Sequence, residues 1–228
     1  MDSGIVLIVI GLSAISGLVL MVALRAARQR REALRALAEG NGWSYREERA
    51  TAGRGRRIVL AGPTDRWRLT LYRGPSSSSG GSVQWTDFVA PDAGIPDGLA
   101  LLGPPIPEKT AQLATTMLAG FGGQVIGKIF SGIDNDIGAD ISRLAFVPGV
   151  SPEDGTLFAT SDATDALTPI LGHAAFADAR RGRNERRQPI VMRGAFGLKI
   201  RIRKELATPE EIEALVGFGE TLRAALRH

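Results

Sequence analysis

The chain has no cysteine, so it cannot form a disulfide framework, a zinc–thiolate site or a thiol nucleophile. Histidine is nearly missing as well. His173 has no Ser, Cys or second His close by in sequence to pair with, so it reads as a surface or core residue and not as a catalytic one, and His228 carries no signal. Aromatic residues are sparse, and none interleaves with the cations Lys199, Arg201 and Arg203 of the terminal basic strand, which argues against base stacking there and against nucleic acid as a partner. Charge is missing altogether between Gly4 and Leu24, where the chain reads GIVLIVIGLSAISGLVLMVAL.

That uncharged run is what the rest of the chain is organised around. A helix crossing the hydrocarbon core of a bilayer needs about 20 mostly apolar residues at roughly 1.5 Å of rise each, and this run supplies them. A cleaved secretory signal would carry a positive n-region, a shorter apolar core and a small-residue cleavage site. Here Met1, Asp2 and Ser3 carry no cation, and Arg25, Arg28, Arg30, Arg31 and Arg35 all follow the run. Basic residues behind a span hold that side in the cytoplasm. The expectation is a single-pass protein of a bacterial inner (cell) membrane, with its N-terminus out and its C-terminal domain cytoplasmic. Three regions are expected: the tip and span at 1–24, a basic juxtamembrane helix at 25–42, and a cytoplasmic domain at 43–228.

The formal charge of +4 is not spread evenly. Residues 25–57 carry a net of +6, whereas residues 58–228 carry −1. The excess cation therefore lies beside the apolar run. There each basic residue gains up to about 1 kcal/mol from anionic headgroups, decaying over a Debye length.

After the run, Ala33, Leu34, Leu37 and Ala38 make an apolar stripe at helical spacing, and Gly40, Asn41 and Gly42 end the helix. WSYREE reads as a first strand. RRIVLAG and RWRLTLYRG flank the turn-forming Pro63, Thr64 and Asp65 as a hairpin, with Trp67, Leu69 and Leu71 on its buried face. The stretch 74–82, GPSSSSGGS, reads as a loop, and SVQWTDFVA as a returning strand. Residues 91–107, rich in Gly and Pro, suggest a connector between two possible lobes, with one extended piece at Leu99–Leu102. A helix is expected from about Glu108 to Ala119, packed through Leu113, Met117 and Leu118; Gln112, Gln124, Lys128 and the glycines of 110–133 disfavour a second span. TLFAT reads as a strand, and Pro169 starts a helix that contains His173, with Ile170, Leu171 and Phe176 on its apolar side. The final helix is marked by a capping box: Thr208 as N-cap, Pro209 in the first position and Glu211 three residues after the cap.

Two groupings invite a chemical reading. Asp134, Asp136 and Asp140 suggest a calcium loop, but Gly138 and Ala145 stand where ligands would be needed, so no metal is assigned. In GLKIRIRKE, Lys199, Arg201 and Arg203 alternate with Leu198, Ile200 and Ile202. These three cations, with Arg25, Arg28, Arg30, Arg31 and Arg35, are the candidate contacts to anionic lipid headgroups or a protein partner. No catalytic residue and no cofactor is assigned.

The order of a single N-terminal span, REALRALAEGNGWSY, hairpins, FATSDATDALTPIL and a terminal GLKIRIR strand with an amphipathic helix resembles a broad group of bacterial single-span, membrane-anchored proteins of uncharacterised function. The resemblance implies an α+β cytoplasmic domain with antiparallel sheet and packed helices, and supplies no catalytic residues. The functional expectation is a membrane-tethered binding or scaffold module. The alternative is a membrane-proximal enzyme using dispersed carboxylates such as Asp87, Asp134 or Asp162.

Overall fold

The computed structural model describes residues 3–48, 55–75, 82–121, 141–151, 153–181 and 188–227, with the side chains of 3–16 and 117–121 outside that description. The first four strands are β1 (Ser44–Glu48), β2 (Arg56–Ala61), β3 (Arg68–Pro75) and β4 (Ser82–Ala90), which pair in succession as an antiparallel meander. The others are β5 (Ala100–Gly103), β6 (Ala145–Phe146), β7 (Thr156–Ala159), β8 (Ile190–Gly194) and β9 (Gly197–Ile202). All nine belong to one sheet in the order β1-β2-β3-β4-β9-β8-β5-β7-β6, every pairing antiparallel. Four helices accompany it among the described residues: α1 (Ser3–Gly40), α2 (Glu108–Phe121), α3 (Ala174–Arg180) and α4 (Pro209–Ala225). The fold is therefore α+β. Strands from both sides of residues 91–107 hydrogen-bond into the same sheet, with β5 held between β8 and β7.

One face of the sheet carries the main core. Ile58, Leu60, Leu69, Leu71, Phe88 and Ile200 alternate inward along their strands and meet Leu34 and Ala38 of α1 and the buried side of α4. Trp67 ties the near end of this core together, edge-on to Trp43 at 5.0 Å and stacked on Phe88 at 5.8 Å between ring centres. Gly219 lets α4 lie close over β4, because a Cβ there would come within 2.5 Å of the Phe88 ring. The opposite face has a second, smaller core in which Leu101, Phe158 and Met192 meet Ala111 and Ala114 of α2.

The local signals in the sequence correspond to real devices. The β2–β3 turn places Thr64 and Asp65 in the left-handed region. The capping box of α4 is complete: Thr208 Oγ1 accepts from the Glu211 N–H, and the Glu211 carboxylate accepts from the Thr208 N–H. Ile212, Leu215, Val216, Leu222 and Leu226 are all buried.

Three expectations are corrected. α2 does not pack through Leu113, which is 56% exposed; the small Ala111 and Ala114 make the contact, since they let the helix approach the sheet closely. Met117 and Leu118 lie outside the described side chains. The helix expected from Pro169 begins only at Ala174, after a tight turn at Thr168–Ile170, and His173 is its N-cap, with Nδ1 accepting from the Ala175 N–H at 3.2 Å. Of the loop expected at 74–82, Gly74 and Pro75 belong to β3 and pair with Val83 and Ser82, while 76–81 lie outside the described residues.

Candidate functional site

Ahead of its docked end, α1 is exposed along the whole of residues 17–24. Leu34 and Ala38 are buried against the core, but Leu18, Val19, Leu20, Met21, Val22 and Leu24 are each 61–70% exposed. These nearly consecutive positions point to every side of a helix, so no single protein surface could cover them. Among the described residues no helix is long and apolar enough to cross a membrane. The side chains of residues 4–16, most of the expected span, lie outside the description.

The five arginines that follow this run divide by depth along α1. Arg25 and Arg28 are exposed. Arg30 reaches back to the domain, donating to the Leu206 carbonyl at 2.7 Å and pairing with Glu205 at 2.9 Å. Arg31 lies 3.7 Å from Glu47, and Arg35 sits over the Tyr45 ring at 5.4 Å. The neck thus combines a docking element that fixes α1 on the sheet with an exposed basic collar.

The other proposed contacts lie elsewhere in the fold. The alternation along β9 predicts an open face for Lys199 and Arg201, but they are 5% and 0% exposed, because that face is itself covered, with the Trp85 ring against Arg201 and the Phe196 ring against Lys199. In this conformation they are out of reach of a headgroup. Asp87, directly opposite on β4, accepts from Arg201 Nε at 2.6 Å and also from Nη2. The guanidinium also lies 4.7 Å from the Trp85 ring, and Trp85 stacks on Tyr72 at 4.7 Å, with Arg57 over Tyr72 at 5.6 Å. This stack of two rings between two cations ties four strands together. Arg203, just past the end of β9, is only half-buried.

The carboxylates of the alternative reading do not converge. Asp87 is committed to Arg201. Asp162 is exposed and bridged by Arg143 at 2.8 Å; hydrogen bonds from Ser161 and Arg143 hold its carboxyl below the ordinary range. Asp134, with Asp136 and Asp140, lies outside the described residues. No cluster of three metal-ligating side chains exists among the described residues.

An open groove of about 490 Å³ lies between α3, α4 and the end of β9. Its apolar lining is Ile202, Leu206, Leu215 and Phe218, and Ala175, Ala179 and Ala214 keep it wide. Lys204 and Glu211 form an ion pair at the β9 end. Burial pushes the Glu211 carboxyl up, but bonds from Lys204 and the Ala207 N–H outweigh it and leave the group below its ordinary value. Sequence pattern carries little sign of this groove, since its walls come from three separate elements and its width from unremarkable alanines.

Asp92 offers a titration that can be followed directly. It accepts from Arg223 Nε at 2.7 Å and lies 3.3 Å from Arg227, closing the turn after β4 onto α4. The hydrogen bond from Arg223 holds its carboxyl below the ordinary range. A depressed carboxylate adds stability that is complete above the unfolded-state value and is lost as pH falls through the lower folded value. The denaturation midpoint of the wild type is therefore expected to fall on acidification through that window, and less steeply in Asp92→Asn. Parallel curves for the two proteins would show that the bridge contributes nothing.

Comparison with protein-family models, curated proteins and solved structures finds no match to this chain.

Proposed function

We propose that this chain is a membrane-tethered binding or scaffold module, anchored by the apolar part of α1 in a bacterial inner membrane with its α+β domain on the cytoplasmic side. The observation that carries the reading is the exposure of Leu18–Leu24 around the whole helix. Hydrating these side chains is unfavourable, whereas hydrocarbon accepts them from all directions. The exposed Arg25 and Arg28 at the end of that run sit where anionic headgroups would meet them. The ion-paired states of Asp87 and Asp162 favour a binding role over an enzymatic one, because a general acid or base needs a carboxylate free to exchange its proton.

The full chain is expected to float with membranes after an alkaline wash and to need detergent for release. Its folded domain is expected to resist protease added outside intact spheroplasts and to be digested in inverted vesicles. Release without detergent would remove the anchor, and digestion from the outside would reverse the orientation.

A further inference from the structure

We infer that the groove between α3, α4 and the end of β9 takes up one acyl chain of an anionic phospholipid from the adjoining bilayer, an inference that rests on the membrane-tethered reading above. The groove is of ligand size at about 490 Å³, with an apolar floor and a charged end. It follows α4 from Glu211 to Thr221, roughly 15 Å of helix axis, so an extended chain suits it better than a compact ligand.

The position of the groove supplies the reason for a bilayer lipid. Leu206, which forms some of the floor, accepts at its carbonyl from Arg30 of α1. Arg30 lies only about 9 Å along the helix from Leu24, the last of the exposed apolar residues. A headgroup layer is about 5–8 Å deep on each side of the hydrocarbon, so Arg30 lies just past that layer and the Leu206 end of the groove is the end held next to it.

The charges favour an anionic head at the same end. Arg30 and Arg73 both approach Glu205, at 2.9 and 4.0 Å, and Lys204 pairs with Glu211. Three cations thus face two carboxylates around the Leu206 end. Along the groove the charged lining residue contributed by α3 is Asp178, which would repel an anionic head placed there. The head is therefore held next to the neck, and the chain runs inward along α4.

The test uses the full chain in nanodiscs that contain phosphatidylglycerol or phosphatidylcholine carrying a photoactivatable diazirine midway along one acyl chain, with the labelled peptides mapped by mass spectrometry. The expected result is labelling at residues 18–24 with either lipid, and labelling of the α3 and α4 walls that is several-fold stronger with phosphatidylglycerol. Ala214→Trp, at an exposed helix position, fills the groove and is expected to abolish the wall labelling while leaving that at 18–24 unchanged. Labelling confined to 18–24 in the wild type would overturn the groove inference and leave the anchor standing. Equal wall labelling by the two lipids would overturn the choice of an anionic head. No labelling at 18–24 would overturn the anchor, and the groove inference with it.

Discussion

Asp87→Ala is expected to destabilise the domain by about 3–5 kcal/mol, the usual cost of breaking a buried ion pair from one side. Asp87 is 3% exposed and Arg201 is not exposed at all. The carboxylate accepts two hydrogen bonds from one guanidinium, the paired geometry in which charge-assisted bonds are strongest. Removing it takes both acceptors from a cation that water cannot reach. Urea denaturation of the full chain in mild detergent, followed by circular dichroism, measures the change. Replacing both partners with apolar residues, Asp87→Leu with Arg201→Met, is expected to recover much of the loss, since the desolvation cost of the pair then disappears as well. An Asp87→Ala midpoint close to the wild type would show that the pair is not what holds β4 to β9 at this point.

The same pair marks the limit of what local pattern can reveal. Lys199, Arg201 and Arg203 alternate with Leu198, Ile200 and Ile202, and pattern alone reads that as one buried and one solvated face. β9 is buried on both faces because Leu198, Ile200 and Ile202 enter the main core while aromatic rings cover Lys199 and Arg201 on the other side, and the partner that makes a buried Arg201 tolerable comes from a strand more than a hundred residues earlier. Asp87 carries a hint of this, since it shares a strand face with Trp85, an awkward position for a carboxylate on a wet surface. No periodicity can say which distant cation answers it.

Local devices are far more readable. The β2–β3 hairpin and the α4 capping box depend on residues within a few positions of one another, and the chain folds them as their chemistry dictates. Leu113 departs from expectation for the opposite reason: helical spacing identifies an apolar face, but the tight approach of α2 to the sheet selects Ala111 and Ala114 over the bulkier side chain. The Gly- and Pro-rich 91–107 stretch suggests a boundary because those residues break regular structure. Its four-residue strand β5 is nevertheless an interior member of the sheet, paired on both edges.

Arg193→Met is expected to cost about 3–4 kcal/mol, because charge-assisted hydrogen bonds are worth about 1.5–3 kcal/mol each and losses that share one side chain do not add in full. Arg193 projects from β8 and uses its whole planar head. Nε donates to the Ala93 carbonyl at 2.9 Å, Nη1 to Ala166 at 2.7 Å and Nη2 to Leu226 at 2.9 Å. One side chain thereby joins the turn after β4, the irregular stretch before α3 and the C-terminal end of α4, where a cation also meets the negative pole of the helix. Burial draws the guanidinium below its usual value, yet a group that starts so high stays charged at neutral pH. Arg193→Lys keeps the charge but has one compact ammonium for three carbonyls lying in different directions, so it is expected to recover less than half of the loss. Hydrogen exchange distinguishes this clamp from simple packing: the amides of α4 near Leu222–Leu226 should lose protection in both variants, while those of β2 and β3 should be little changed. Uniform loss across the sheet would mean that Arg193 supports the core as a whole and does not fasten the end of α4.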